Sequence, residues 1–457
     1  MTTGFARFDV RTIQARADLA TEPVLIVSAD SHVTLPAHDY VSYLDPGYRE
    51  AADLYYRDVA LWQSMVGRFG YPPPQEELDA IDTRHAISAG GEIGYFDPQR
   101  RMRETEAEGV VAEILHPLGP LSPVPFYDAG SSLARPELRA AGARAHNRFL
   151  KEFCAADPDR LLGVYMTYPW PDMTAAVRDC EVARNAGGRA VFPAQQAGIP
   201  GDHAPALFDP VWDPFWAACQ DLGLVVHIHA GWGLPQGGFD ERYAASIEVN
   251  PDAPLGEVFD TFNERRPLWQ LMWGGVFDKF PHLRIAFMEI HCDWVPQTLA
   301  YLDARYAADK RPMRRTPSEY WERHFAVGAS LMRYSDVAAR HDVGVTKVMF
   351  GTDYPHREGT WPNTHDWIRT ALGQLPEDEF RLIMGGNAIR FYGLNESRLK
   401  QLAGRYGPSL GDLLGDHPVD ERILRSFNDR AGIGKTVEVH QDELARALEQ
   451  DIQRMNA

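Results

Sequence analysis

Val24-Leu25-Ile26-Val27-Ser28-Ala29-Asp30-Ser31-His32 is an apolar run that breaks into an Asp-x-His pair, a pattern that occurs once in the chain. Alternate residues of a strand point to the same face, so Asp30 and His32 would project together from the end of a strand. A carboxylate and an imidazole placed in this way are suitable ligands for a divalent metal ion. The stretch therefore predicts a strand that delivers a metal-binding pair.

Three later apolar segments end in the same way. Residues 225–229, 285–291 and 348–356 each run from apolar side chains into His, Glu or Asp. In a barrel of parallel strands, the carboxyl ends of all strands meet at one mouth, where active sites are built. Four such endings predict a barrel with a metal ion at its C-terminal mouth.

The rest of the chain alternates between strand and helix patterns. Besides the first strand, we predict strands at 110–116, 161–167, 189–192, 224–229, 283–289, 324–329 and 346–351. Helical patterns lie between them at 99–108, 135–156, 172–186, 210–221, 293–308 and 334–341. This order predicts an α/β protein with a (β/α)₈ TIM barrel. An open doubly wound sheet is the alternative, but no Gly-x-Gly-x-x-Gly follows the first strand.

The domain organisation follows from that pattern. Residues 1–22 form an N-terminal segment, and 23–394 form the barrel. Residues 36–98, after strand one, are too long for an ordinary loop and predict a cap insertion. Residues 395–457 predict a C-terminal helical extension that ends in a charged helix at 441–454.

Composition and charge restrict the function classes. A net charge of −18 argues against a nucleic-acid partner. We find no secretory signal and no stretch of about 18 apolar residues, so we expect neither secretion nor a membrane partner. Four widely spaced cysteines are typical of reduced thiols in a cytoplasmic protein. We expect a small-molecule substrate and a homo-oligomer, a dimer.

Several motifs resemble one known family along residues 24–394. They are Ala29-Asp30-Ser31-His32-Val33, Glu108-Gly109-Val110, Asn147-Arg148-Phe149-Leu150, Asp157-Pro158-Asp159-Arg160-Leu161, His229-Ala230-Gly231, 275–281, Trp294-Val295-Pro296, 351–356 and Gly386-Asn387-Ala388. The chain resembles the amidohydrolase-related family of metal-dependent hydrolases and decarboxylases, the group that includes aminocarboxymuconate-semialdehyde decarboxylase. The motifs are specific for the family and only weakly specific for the reaction.

The resemblance implies a ligand set for one metal ion: Asp30, His32, His229 and Asp353. Zinc is the first expectation, and manganese or iron also suits such oxygen-rich ligation. The predicted fourth strand ends without a lysine that could bridge a second metal, so we expect a mononuclear site. An ion with an open position would activate water and polarise a carbonyl.

Three residues are candidates for proton transfer. Asp353 lies near both metal and water, so it could act as a base. Many relatives have a histidine at the position of Glu289, whereas here a histidine follows two residues later, His291. Strand alternation would place Glu289 and His291 on one face, which leaves both as candidates for the acid or base.

Five residues are candidates for binding substrate. His227 shares a face with His229, and His116 ends strand two, where it could form a pocket wall. His356 could bind a substrate carboxylate or only fix its loop. Trp170 and Trp232 follow strands three and five and could stack on a planar substrate or simply pack.

Three functions remain open from the sequence. The first expectation is a hydrolase that uses metal-activated water on a cyclic amide, amide or lactone. The alternative is a non-oxidative decarboxylase of an aromatic or unsaturated carboxylic acid. A catalytically inactive barrel used for binding is the third, and the complete ligand set argues against it.

Overall fold

Eight parallel strands form a barrel in which each strand pairs with the next along the chain. The computed structural model describes residues 22–68, 74–117, 119, 122–127, 136–193, 204–232, 262–309, 313–414, 418–436 and 441–456. The strands are β1 (Ile26–His32), β2 (Val110–His116), β3 (Leu161–Thr167), β4 (Ala190–Pro193), β5 (Val225–His229), β6 (Arg284–Met288), β7 (Phe325–Ser330) and β8 (Val348–Gly351). The predicted TIM barrel is confirmed, with strand ends within two residues of the predicted ones.

The barrel closes where β8 returns beside β1. Asp353 N donates to Asp30 O at 2.9 Å, and His32 N donates to Tyr354 O at 2.7 Å. These bonds join the two ends from which the predicted metal ligands project. The strands are buried along almost their whole length, because barrel residues face either the interior or the surrounding helices.

Helices surround the barrel. They are α1 (Ala37–Tyr43), α2 (Ala52–Arg68), α3 (Gln75–Ile81), α4 (Pro98–Ala107), α5 (Pro136–Cys154), α6 (Met173–Asn185), α7 (Asp213–Asp221), α8 (Arg266–Trp273), α9 (Val276–Lys279), α10 (Val295–Asp309), α11 (Pro317–His324), α12 (Tyr334–Val343), α13 (Thr364–Leu372), α14 (Glu377–Arg381), α15 (Asn387–Tyr392), α16 (Glu396–Tyr406), α17 (Leu410–Leu414), α18 (Glu421–Ala431) and α19 (Gln441–Asn456). None of the helices among these described ranges is long and apolar enough to cross a membrane.

Helix starts follow local chemistry. Asp97 caps α4 by accepting from Gln99 N and Arg100 N, and Pro98 occupies the first turn, where no amide is needed. Asp172 caps α6 in the same way. One predicted helix differs: 210–221 begins as a 3₁₀ turn, Pro210–Trp212, before α7. For residues 230–281 the sequence predicts a loop and helices; α8 and α9 lie in this range, and residues 233–261 lie outside the described part of the chain.

The predicted insertion contacts the carboxyl end of the barrel. Thr34 N donates to Tyr95 O at 3.2 Å, and Asn363 Nδ2 donates to Ile81 O at 2.9 Å. Tyr354 Oη donates to Gly91 O at 3.3 Å. These contacts put parts of the segment beside the loops after β1 and β8. The boundaries 36–98 and 395–457 stay predictions, and residues 1–21 lie outside the described part of the chain.

Candidate metal centre

Four strand ends bring a compact group of metal-binding side chains to one mouth of the barrel. Asp30 and His32 end β1, His229 ends β5, and Glu289 directly follows β6. One ligand atom from each of these four residues lies within 4.8 Å of the others. A second group within the same limit shares two members with the first and consists of His32, Glu289, Asp353 and His356.

The separations between these atoms suit ligands around one ion. His32 Nε2 lies 3.6 Å from Asp30 Oδ1, 3.1 Å from Asp353 Oδ1 and 3.8 Å from Glu289 Oε2. His229 Nε2 lies 3.5 Å from Asp30 Oδ1 and 3.3 Å from Glu289 Oε2. With bonds of about 2.1 Å, neighbouring ligands are expected roughly 3–3.5 Å apart.

Most of these atoms lack hydrogen bonds within the described part of the protein. Asp30 Oδ1, His32 Nε2, His229 Nε2 and both carboxylate oxygens of Asp353 are buried without a hydrogen-bond partner there. Buried polar atoms are costly when unsatisfied, so several at one point call for a shared partner. Two carboxylates and two imidazoles are a donor set that a divalent cation satisfies, so the residues present fit one metal ion.

The other ring nitrogen of each histidine fixes its orientation. His32 Nδ1 lies 3.2 Å from Pro117 O, and His229 Nδ1 lies 3.1 Å from Ala230 O. A carbonyl accepts only, so each Nδ1 carries the proton and each Nε2 presents its lone pair to the centre. Ser330 Oγ donates to Asp30 Oδ2 at 2.5 Å and so orients that carboxylate.

Glu289 and Asp353 are aimed by unusual backbone geometry. Their φ angles are 58° and 55°, in the left-handed region that non-glycine residues seldom adopt. Glu289 N donates to Gly328 O at 3.0 Å, and Asp353 N donates to Asp30 O, which holds both turns in place. Such strained positions cluster at functional sites.

The electrostatics of the centre favour bound protons in the absence of metal. Burial raises the pKa of Asp353 well above its usual value, and the nearby Glu358 and Asp30 raise it further. Burial, followed by Asp353, also raises the pKa of Glu289. Burial alone would lower the pKa of His229, but Asp30 and Glu289 outweigh it and raise the pKa to about 9. The carboxylates therefore repel one another until a cation or protons compensate.

His291 has different surroundings from those expected. Strand alternation was expected to place it beside Glu289, but β6 ends at Met288 and His291 itself has φ 53°. Strand alternation therefore does not apply to Glu289 and His291. His291 Nδ1 lies 3.0 Å from Asp336 Oδ2, and Asp336 Oδ1 also accepts from Cys292 N at 2.7 Å. His291 belongs to neither of the two metal-binding groups found among the described residues.

His116 and His227 form a hydrogen-bonded pair beneath the centre. His227 Nδ1 lies 2.8 Å from His116 Nε2, and His227 Nε2 lies 2.8 Å from Tyr392 Oη. Both nitrogens of His227 are thus used within the protein, which leaves none for the substrate contact predicted from sequence. His116 lies closer to the centre, with Nε2 3.9 Å from Asp30 Oδ1.

His356 is the candidate substrate-binding residue nearest the ligands. Its ring stacks on that of His32 with centroids 3.8 Å apart, and its Nδ1 lies 3.0 Å from Asp353 Oδ1. Trp170 and Trp232 lie in the segments after β3 and β5, at the same end of the barrel, and Trp232 is buried. Contact of these three side chains with substrate stays a prediction.

Sequence reasoning missed two features of the centre. Glu289 was considered for proton transfer alone, yet it lies in both metal-binding groups. Arg101 in α4 was not considered, yet it is buried under the centre and donates to Glu113, to His32 O at 2.7 Å and to Tyr354 O at 3.3 Å. A charged residue in a helix otherwise gives no signal of burial. The pair Arg101 and Glu113 could have been suspected only from the carboxylate inside the apolar run of β2.

Comparisons with known proteins agree with this architecture. The family described as Amidohydrolase matches residues 81–394. The γ-resorcylate decarboxylase of Polaromonas sp. (strain JS666 / ATCC BAA-500) is 26% identical over 266 residues, which cover 55% of this chain and 76% of the relative.

Two solved structures share the fold. An amidohydrolase from Mycobacterium avium subsp. paratuberculosis K-10 has a TM-score of 0.60 at 20% identity, covering 82% of this chain and 100% of its own. A dihydroxybenzoic acid decarboxylase from Polaromonas sp. JS666 has a TM-score of 0.54 at 20% identity, covering 81% of this chain and 98% of its own. It was solved with manganese and the inhibitor 2-nitroresorcinol.

Proposed function

The chain belongs to the amidohydrolase family, and from this premise we propose that it is a metal-dependent, non-oxidative decarboxylase of a hydroxylated aromatic carboxylic acid. The observation that carries the proposal is the buried carboxyl of Asp353, neither oxygen of which has a hydrogen bond within the described residues, beside a group of metal-binding side chains. The sequence placed hydrolysis first. The named decarboxylase relative favours the alternative, because it shares a quarter of its residues with this chain over most of its own length.

Asp30, His32, His229 and Glu289 would hold the metal ion, with Asp353 next to them. A bound divalent cation would polarise the oxygens of a substrate carboxylate and offset the negative charge that gathers around it. We favour Mn²⁺ over the zinc expected from the sequence, since the donors are rich in carboxylate and the related dihydroxybenzoic acid decarboxylase was solved with manganese.

Asp353 would move the proton. In decarboxylation, the electron pair of the broken carbon–carboxylate bond stays on the ring carbon, carbon dioxide leaves, and the ring carbon takes up one proton. Burial raises the pKa of Asp353, which favours the protonated carboxyl that would donate this proton from Oδ. His32 and His356 flank Asp353 Oδ1 at 3.1 and 3.0 Å and would limit its rotation. The carboxyl is fully buried, so water would compete poorly as the proton donor.

A substrate panel analysed by mass spectrometry tests the proposal. Metal-loaded protein is incubated with γ-resorcylate and other hydroxybenzoates, and separately with cyclic amides and lactones. We expect an aromatic acid to lose carbon dioxide, and we expect the loss to stop when a chelator removes the metal. A gain of water by an amide or lactone, with no decarboxylation of any acid, would restore the hydrolase interpretation.

A further inference from the structure

Three polar side chains are joined in a line inside the barrel. His116 ends β2, His227 lies in the middle of β5, and Tyr392 ends α15. The contacts between them are both 2.8 Å, and each side chain is 3% exposed or less. Barrel interiors are usually filled by apolar side chains, so this line replaces ordinary packing.

The line begins at the metal centre and leads away from it. The ring of His116 lies 4.5 Å from that of His229, and His116 Nε2 lies 3.9 Å from Asp30 Oδ1. The other end lies toward the amino ends of the strands. Arg284, the first residue of β6, donates to the carbonyl of Phe391, the neighbour of Tyr392. The line therefore connects the metal centre with the opposite end of the barrel.

The direction of the hydrogen bonds follows from the acceptors that Tyr392 can reach. Its hydroxyl lies 2.8 Å from His227 Nε2 and 3.9 Å from Met288 Sδ, and a thioether is a weak acceptor. Tyr392 therefore donates to His227 Nε2. The proton of His227 must then lie on Nδ1, from which it is donated to His116 Nε2, and a neutral His116 must carry its own proton on Nδ1.

We propose that Tyr392, acting through His227, holds His116 in the neutral form protonated on Nδ1 beside the metal centre. In this form the Nε2 lone pair of His116 is occupied, so His116 does not compete for the ion. The hydrogen that His116 would donate to an anionic substrate is then the one on Nδ1. Tyr392 and His227 are positioning residues, and only their kinetic effect rests on the proposed decarboxylation.

The buried polar line is an energetically demanding way to fill the barrel. Two imidazoles and a phenol buried in a barrel stabilise the fold only when all are hydrogen-bonded, and apolar side chains of similar size would need no such match. A line that ends 3.9 Å from a candidate ligand is thus better explained by its effect on the site than by stability.

Nitrogen-15 NMR of histidine-labelled protein tests the proposal without any assay of activity. The probe ion is Zn²⁺, which is diamagnetic, and the signals are assigned with His116→Gln and His227→Gln. In the parent protein we expect both His116 and His227 to be protonated on Nδ1 and not on Nε2. In Tyr392→Phe we expect the tautomer ratio of His227 to shift about fivefold, as expected for the loss of one hydrogen bond.

Tyr406→Phe is the control for the loss of a tyrosine hydroxyl, because Tyr406 is half-buried and its hydroxyl has no hydrogen-bond partner among the described residues. We expect it to leave the histidine signals unchanged. With an aromatic acid that the enzyme decarboxylates, Tyr392→Phe should lower kcat/KM about 10-fold to 100-fold while Mn²⁺ affinity stays the same.

A parent spectrum with His116 protonated on Nε2 would overturn the proposal. So would an unchanged His227 spectrum in Tyr392→Phe. Should that variant not fold, the spectrum of the parent protein alone decides. None of these NMR results depends on decarboxylation. A failure of the proposed hydrogen-bond arrangement is therefore distinguishable from a failure of the proposed function.

Discussion

Asp353 is the residue at which metal binding and catalysis can be separated. Asp353→Asn keeps the shape and one oxygen beside the metal ligands but removes the acidic proton. We expect this variant to keep its fold and at least some metal while turnover falls about 10²–10⁴-fold. Metal content by elemental analysis and kcat by carbon dioxide release check this. Near-normal turnover at matched metal content would exclude Asp353 as the proton donor.

Replacement of Glu289 should mainly affect metal binding, in contrast to replacement of Asp353. Glu289 lies in both metal-binding groups, so Glu289→Gln should mainly weaken the hold on the ion. Replacing partners of metal ligands costs about 10–100-fold in metal affinity, and losing a ligand should cost at least that much. Titration of metal-free protein with Mn²⁺ measures the affinity. If Glu289→Gln binds Mn²⁺ as the parent does, yet has lost turnover, Glu289 moves the proton instead.

The shifted pKa values predict how metal binding depends on pH. A raised pKa keeps a proton bound until the pH exceeds it, and a metal ligand must be deprotonated. His229, with a pKa of about 9, and the carboxyl of Glu289 are both proposed ligands and therefore release protons when Mn²⁺ binds.

Mn²⁺ affinity should accordingly fall as the pH is lowered from about 8.5 to about 6.5, by roughly tenfold per unit for each proton released. Calorimetry in two buffers of different ionisation enthalpy counts these protons. An affinity independent of pH, with no proton release, would contradict the assigned ligands.

The placement of the metal-binding side chains could be predicted from the sequence where they lie in a regular strand. Asp30, His32 and His229 project from β1 and β5, and alternation along a strand places them correctly. Glu289 and His291 follow the end of β6 with positive φ angles, which no alternation rule describes. The roles of all these residues stay predictions.

At the scale of elements, apolar runs located the strands because barrel strands are buried on both faces. Their order followed from the chain, since each strand pairs with the next. The contacts that hold the strand ends beneath the metal centre could not be predicted from the sequence, because they join residues that are distant in the chain. α4 is the clearest case: its Arg101 bonds to carbonyls of the β1 end and of the loop after β8.

Arg101→Met should loosen both of these ends. It leaves the Glu113 carboxylate buried without its bidentate partner, which Arg101 Nε and Nη2 now contact at 2.8 and 2.9 Å. Breaking a buried pair in this way costs about 3–5 kcal/mol of unfolding free energy. Denaturant unfolding measures the loss. The double variant Arg101→Met/Glu113→Leu should recover most of the lost unfolding free energy. If the single and the double variant are both as stable as the parent protein, Arg101 has no supporting role.

The predicted cap is an element whose contacts are described but whose function is not tested. Tyr95 approaches the ring of His356 to a centroid distance of 6.2 Å, and Arg357 pairs with Glu77. These contacts support the proposal that residues 36–98 narrow access to the centre.

At the scale of the whole molecule, one of the contacts that attach the C-terminal extension is a buried carboxylate in its last helix. Asp451 in α19 accepts from Arg266 Nη2 at 2.7 Å and from Trp269 Nε1 at 2.8 Å, both in α8. The sequence predicted the terminal helix from its pattern but could not identify this long-range attachment. A homodimer stays a prediction, as does a cytoplasmic location.

Decarboxylation itself is tested most directly in D₂O, with γ-resorcylate labelled with carbon-13 in its carboxyl group and protein loaded with Mn²⁺. The proposed chemistry predicts labelled carbon dioxide and a phenol with a single deuterium at the ring carbon that lost the carboxylate. Chelation of the metal and Asp353→Asn should each suppress both signals. An intact labelled carboxylate, across γ-resorcylate and related hydroxybenzoates, together with metal-dependent incorporation of water into an amide or lactone, would contradict it.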